Sequence, residues 1–532
     1  MGPISQESII LSLPWGWAFI LVPVLYLVAY CIYNAYFHPF AKYPGPFLSK
    51  FTMIRATYHA WKGDVHLDTW RCHKIYGPVI RYGPDKLVFS TPKAMKGARS
   101  TDHFYIYSVG SNVTKDPAYA TLGQDRLNLV SLVDKKEHLR RRKLVTTAFS
   151  FANVKMFEPN MQVYVQRFVD ALSPLRSEVA SNTWGPSIDV ADWCSFLTFD
   201  VMTDFLFGLE YDLLRSPCWR KVVHDIESTN VRLYVLCHLR WLYLGRIDKL
   251  LFPAATRGSR GFLKFVDQLI KDYPNRKEGG HIHAFTRLTG AKDKEGRAAM
   301  SSKQVYSEAV MLVTAAQDTT SVTLRAILFY LSRYPHAYAK LAQEIRSTFA
   351  ADETISCDGK LKGCTYLNAC ILEAMRISPA ITGAAMFRHV SAGGQTVDGE
   401  HIPAGYNVSA GIYAVHHNEE LFPRAFEFIP ERWIVDEHTS QEQLDQRLKM
   451  WFPFSMGPRA CIGKTFAETL ISITIASVVR IYDFRVAHGP EGVKGSGHPF
   501  GAAGRTNPGE FQLQDYIVST GEGPVLQMKL RG

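Results

Sequence analysis

The sequence predicts a mainly α-helical fold with small β-sheets (α+β), and three observations carry that expectation. The longest periodic stretches have helical spacing, above all residues 303–334, 366–377 and 464–480. The strand-like stretches are short and turn-bounded, as at 79–82 and 86–90 on either side of Gly83-Pro84. No linker, repeat or low-complexity block divides the 532 residues, so one large domain is expected behind an apolar N-terminal stretch.

Composition narrows the function classes. Apolar residues at 47% and charged residues at 20% indicate a packed core rather than disorder. A net charge of +11 suits an anionic membrane surface or an acidic protein partner. Nucleic acid is not expected, because no basic run is interleaved with aromatics. The nine cysteines are scattered, odd in number and form no C-x-x-C pair. That argues against a disulfide framework or a zinc site and fits a reducing compartment.

Residues 9–36 are almost wholly apolar, with no charge between Glu7 and Lys42, which is long enough for a membrane-spanning helix. Lys42 and Lys50 follow it and place the body of the protein on the cytosolic side. A cleaved signal peptide is the competing reading, weakened by the lack of a basic n-region and a small-residue cleavage site. Pro44-Gly45-Pro46 makes the next segment stiff and non-helical.

Residues 68–76 read as a helix stopped by Gly77-Pro78, and 100–124, with Tyr105, Tyr107 and Tyr119, lose periodicity. Helical spacing returns at 135–149 in a strongly basic run, either a solvated face or a docking surface. Residues 192–206 form an apolar helix with Gly208 at its C-cap, and 219–249 and 259–271 supply two or three more helices. Residues 272–300, rich in Lys, Gly and Arg, read as an exposed loop. Short strands are expected within 379–390, 401–409, 511–518 and 525–530, with a hairpin tip at 518–520.

Three stretches carry chemistry. The helix 303–334 holds Ala315-Ala316-Gln317-Asp318-Thr319-Thr320-Ser321 at its centre, where hydroxyls and a carboxylate break the local rule for an apolar helix. Such a break inside a buried element marks a working site. The helix 366–377 carries Glu373 and Arg376 one turn apart, ahead of Pro430-Glu431-Arg432-Trp433. Last comes Phe454-Ser-Met-Gly457-Pro-Arg459-Ala-Cys461-Ile-Gly463. Here one thiol sits between two glycines, which let the backbone pass close to a flat ligand. The helix that follows is expected to lower the thiol pKa, and Arg459 to pair with an anionic group.

The cysteine stretch resembles the haem-binding loop of the cytochrome P450 family, F-x-x-G-x-R-x-C-x-G, and every fixed position is present. The resemblance implies that fold, as a single haem domain over 51–532, a membrane anchor over 1–37 and a proline-rich hinge over 38–50. It implies haem b (iron protoporphyrin IX) as cofactor, with Cys461 as the axial thiolate, favouring O–O cleavage. Phe454, Gly457, Arg459 and Gly463 complete the loop. Arg142 and Arg388 match positions that reach the haem propionates, and His138 stands where the family usually has tryptophan. Asp318 and Thr319 take the proton-delivery positions of the family's [AG]-G-x-[DE]-T-[TS] motif, with Ala316 in place of its glycine. Glu373, Arg376 and Arg432 correspond to its buried structural network. Residues 380–387 and the tip 518–520 would line the pocket.

The function implied is a haem-thiolate monooxygenase that oxidises an apolar small molecule, in the manner of membrane-bound fungal enzymes of secondary metabolism. Polyketide, terpenoid and alkaloid intermediates are the substrate classes in view. The alternative is phenol coupling, desaturation or rearrangement without oxygen insertion, and a more remote one is a haem-binding sensor. No flavin- or nicotinamide-binding glycine fingerprint occurs in a strand–turn–helix context, so electrons from NADPH are expected through NADPH–cytochrome P450 reductase. The implied location is the endoplasmic reticulum membrane, single-pass, with the catalytic domain in the cytosol. There the sequons at Asn112 and Asn407 stay unglycosylated.

Overall fold

The helix Ser302–Arg333 organises the fold, because residues chosen for its start, length and end coincide. Ser301 and Gln304 form a reciprocal capping box at the N-terminus, and the chain leaves helical geometry at Tyr334, before Pro335 opens the next helix. Most of its centre is buried, including Val322, Leu324, Ile327 and Leu331. It packs on Val190–Phe207, Thr365–Ile377 and Lys464–Ile481, and one apolar core runs through all four helices. The computed structural model describes residues 15–95, 106–108, 110–123, 126–172, 183–277, 279–293, 295–350, 352–383 and 386–531. Residues 9–14 of the apolar stretch, Tyr105, and Ala384 and Ala385 in the segment 380–387 lie outside the described residues.

The expected hairpin forms, Val79–Gly83 antiparallel to Lys86–Phe89. It extends into a five-stranded sheet through Asn407–Ala410, Arg388–Val390 and Val113–Lys115, in that order. The register sets Lys115 directly opposite Arg388, two residues 273 positions apart in the chain. A second, antiparallel sheet joins Ser187–Asp189, Val525–Leu530 and Tyr482–Val486.

Two sequence expectations are corrected. The stretch 272–300 is not merely an exposed loop: it contains the helix Ala284–Gly290, and Phe285, Leu288, His281 and His283 are buried. His281 packs against Phe157 and Phe205 and Phe285 against Phe207, which outweighs the polar composition around them. The basic helix Lys135–Thr146 is neither wholly solvated nor wholly a docking face. Arg141 turns inward and pairs with Glu308 at 3.0 Å, and His138 is buried, while Lys136, Arg140 and Lys143 stay exposed.

Before the domain, Trp15–Ile32 and the turn Tyr33–Phe37 form a helix whose span Phe19–Phe37 is long and apolar enough to cross a membrane. The segment after it is packed: Phe40 and Tyr43 are buried, Phe40 lies against Tyr406, and the Tyr43 hydroxyl donates to Glu400 at 2.7 Å. All nine cysteines are free thiols.

Candidate functional site

A cavity of about 500 Å³ lies where the long helix meets the cysteine loop. The helix contributes Ala315, Ala316 and Thr319 to its wall, and the loop contributes Phe454, Cys461 and Gly463. Its remaining walls are mostly apolar, from Ile226, Leu233, Phe262 and Val310 to Val518 at the expected hairpin tip.

Local geometry fixes the loop. The Cys461 backbone N–H donates to the Phe454 carbonyl at 2.9 Å, and Lys464–Ile481 begins three residues later. Gly457 has φ +73°, and a Cβ there would lie 1.9 Å from the Tyr107 carbonyl oxygen, so no side chain fits. Gly463 differs: its φ is −85°, and a Cβ would meet only ordinary contacts, at 3.8 Å from Cys461 Sγ. The thiol also departs from expectation. Burial pushes it above its usual value, and the backbone N–H groups of Gly463 and Lys464 together with Arg142 only partly offset that.

Four cations gather at or just behind one part of the cavity wall: Lys115 and Arg459 line it, as Arg126 does elsewhere, and Arg142 and Arg388 bond to Ala460 and Tyr119 behind it. Arg459 donates to the carbonyls of Leu132 and Val133 (2.8 and 3.1 Å), and Arg142 to that of Ala460 (2.7 Å). Arg388 reaches the Phe387 carbonyl at 3.1 Å and the Tyr119 hydroxyl at 3.4 Å. Lys115, which the motif search did not single out, donates to the Val130 carbonyl and lines the cavity. Among the described residues, none of the four pairs with a carboxylate. Like charges on facing strand residues repel, and Lys115 and Arg388 are such a pair. Burial and then Arg388 draw Arg459 down to about 10, and burial with Arg388 and Arg459 holds Lys115 well below its normal value. His138 is pulled down to about 3 by burial and by Arg459 and Lys115, and its Nδ1 has no hydrogen-bond partner. A buried cation cluster that lacks its own counter-charge is built for an anionic ligand. A thiol facing the same cavity adds a soft metal ligand. An iron porphyrin with two carboxylates fits this donor set.

On the long helix, Thr319 Oγ1 donates to the Ala315 carbonyl at 3.0 Å, so the hydroxyl is held against the cavity wall. Asp318 also borders the cavity, but its carboxylate engages the helix Lys221–His238. Its Oδ2 accepts from Asn230 Nδ2 at 3.0 Å, its Oδ1 is without a partner, and burial followed by the nearby Glu227 raises it to about 7.

The acid–base cluster is complete. Glu373 receives Arg376 Nε and Nη2 at 2.8 Å each and Arg432 Nε at 2.8 Å. Trp433 Nε1 at 2.9 Å and the Ile429 N–H at 3.1 Å complete the shell. The Trp433 bond had no signal in the sequence beyond proximity to Arg432. Burial would raise the Glu373 carboxyl, but Arg376 and Arg432 reverse it and hold it below its usual range.

Comparison with known proteins agrees with this geometry. The chain is 38% identical over 506 residues to "Cytochrome P450 monooxygenase poxM" of Penicillium oxalicum, covering 95% of this chain and 93% of that one. It is 36% identical over 517 residues to "Cytochrome P450 monooxygenase atnE" of Emericella nidulans, covering 96% of each. With "Cytochrome P450 monooxygenase AKT7" of Alternaria alternata the identity is 34% over 507 residues, 95% of each chain. The family model described as Cytochrome P450 matches residues 42–509, and the chain belongs to the cytochrome P450 family.

Proposed function

We propose that this chain is a membrane-anchored haem-thiolate monooxygenase that oxidises an apolar small molecule of fungal secondary metabolism. Electrons come from NADPH through a separate reductase. The single observation that carries the reading is one cavity lined by a lone thiol, by Lys115 and Arg459 with Arg142 and Arg388 just behind them, and by the Asp318–Thr319 helix segment, with no carboxylate paired to any of those four cations among the described residues. Cys461 would hold the iron, with Phe454 and Gly457 shaping the loop, and Arg142, Arg388, Arg459 and Lys115 would hold the ring carboxylates, His138 lying beside them. Bound haem supplies reductive activation of O2 and oxygen insertion. The chain's own part is to exclude water, orient the substrate and manage protons. Thr319 keeps its hydroxyl at the wall, and Asp318, raised to about 7, both holds and releases a proton near neutral pH. The mostly aliphatic and aromatic wall favours a polyketide, terpenoid or alkaloid intermediate over a charged one.

Exposed apolar side chains support the membrane location. Ile54, Tyr58 and Trp61 are exposed on one face of Ile54–Lys62, and Trp241, Leu244 and Leu250 are exposed on a segment that shares an apolar cluster with that helix. Phe47 and Leu48, just after the membrane helix, extend this apolar surface, which suits a lipid interface at the endoplasmic reticulum. Asn407 is buried and bonded to Asp85, which fits an unglycosylated cytosolic domain.

The test is the absorption spectrum of the purified, reduced protein under carbon monoxide. A red-shifted Soret band diagnostic of thiolate ligation is expected, and its loss in Cys461→Ser; a wild-type protein without that band defeats the reading.

A further inference from the structure

Asp318 stands between two cavities. One is the large cavity above; the other, of about 10 Å³, is bounded by Glu227, Asn230, Arg325, Tyr516 and Val518. That volume is about what one water needs, and the surrounding carboxylates and guanidinium supply its partners. Asp318 is 7% exposed, and its Oδ1 is an acceptor that nothing among the described residues satisfies. On the far side of the small cavity a polar series leads outward. Glu227 Oε1 accepts from Arg325 Nη2 at 3.2 Å, and Glu227 Oε2 lies 3.9 Å from His224 Nδ1. The His224 side chain is 55% exposed, with Nε2 3.6 Å from Asp192. His224, Glu227 and Asn230 all sit on the helix Lys221–His238, so one element carries the series from solvent to the buried acid.

The large cavity offers no equivalent supply once an apolar substrate fills it, because its walls are mostly apolar. We propose that protons reach Asp318 from solvent through His224 and Glu227 and one water held in the small cavity, with Arg325 and Asn230 as positioning residues. His224 takes a proton from solvent at Nε2 and gives its Nδ1 proton to Glu227 Oε2. The water takes the Glu227 proton while giving one of its own to Asp318 Oδ1. Each relay group returns to its starting charge, and no electron moves. The charges around Asp318 agree with this. Burial, and after it Glu227, raises its pKa, Asn230 and Arg325 lower it, and the balance leaves it at about 7. Glu227 itself is held below its usual value: burial opposes this, but His224 and Arg325 outweigh it, and Glu227, helped by Asp192, raises His224 against burial.

The inference rests on the monooxygenase reading, whose failure shows separately as absence of the thiolate band in the unmodified protein. Two readouts on the holoprotein test it. Infrared difference spectra against pH follow the Asp318 carboxyl band, assigned by its loss in Asp318→Asn. In Glu227→Gln its midpoint is expected to fall by roughly one unit, as a like charge is removed. Reductase-driven oxygen consumption in H2O and D2O is the second readout. Glu227→Gln and the surface variant His224→Ala are each expected to slow it about tenfold and enlarge the solvent isotope effect. The double variant is expected to be no slower than the slower single one, because both groups lie on one path. An unshifted Asp318 midpoint in Glu227→Gln, unchanged rates in both variants, or additive slowing overturns the proposal.

Discussion

Two clusters of arginines sit in this molecule, and they are opposites. Around Glu373, two buried guanidiniums and an indole converge on one carboxylate, and every strong donor aimed at it finds its acceptor. Around the large cavity, Arg142, Arg388, Arg459 and Lys115 lean on backbone carbonyls and, for Arg388, the Tyr119 hydroxyl, and two of them face each other across a strand pair. The first arrangement is complete within the polypeptide. The second is complete only when something anionic is added. The contrast separates a structural use of buried charge from a binding use of it, although the side chains are the same.

Breaking the closed cluster should give the largest effect. Glu373→Ala strands two buried cations and is expected to cost about 3–5 kcal/mol, read as loss of folded, haem-containing protein in denaturant melts. The open cluster should answer with the opposite sign. Lys115→Met removes an uncompensated buried charge and is expected to stabilise the apoprotein by about 1–3 kcal/mol while weakening haem retention, measured by apoprotein melting and haem transfer to an acceptor protein. Trp433→Phe removes one donor from the closed cluster and should cost about 1–2 kcal/mol by the same melts, with haem content unchanged.

The last effect is a slope rather than a step, small over any one pH unit. Asp318 is protonated in the folded apoprotein up to about 7, whereas its unfolded carboxyl titrates near 3.8. Between those values the folded state binds the extra proton, so Asp318's contribution to stability is present at low pH and falls as pH rises. Its slope is at most about 1.4 kcal/mol per pH unit. Asp318→Asn should remove that slope, measured by melting across pH 4 to 7.

The closed cluster was legible in the sequence because its main members fall within two local patterns, Glu373 with Arg376 and the Pro430 to Trp433 run. The cysteine loop was legible for the same reason. Lys115 was not, since it lies in an aperiodic stretch and owes its place to strand pairing with Arg388. Asn230 was equally invisible: its bond to Asp318 joins two helices, and nothing in its own neighbourhood predicts it. The inward turn of Arg141 and His138 could not be read from a run of like charges, because helix rotation is set by Glu308 and the cavity. The direction of the thiol shift was missed because a helix terminus is a local feature, and burial is not.

Arg81 has a practical consequence for anyone making a soluble form of this protein. It is fully buried, and it donates to the Asn34 carbonyl at 2.8 Å, the Asn34 side chain at 3.2 Å and the carbonyls of Lys50 and Pro84. Two of those four acceptors belong to a residue inside the apolar N-terminal helical span, and Tyr30 adds a bond to the Phe51 carbonyl at 3.0 Å. A cut at residue 37, the obvious place to remove a hydrophobic leader, would therefore leave a buried guanidinium half-coordinated and invite aggregation. A cut ahead of Tyr30 keeps the clasp and discards most of the grease.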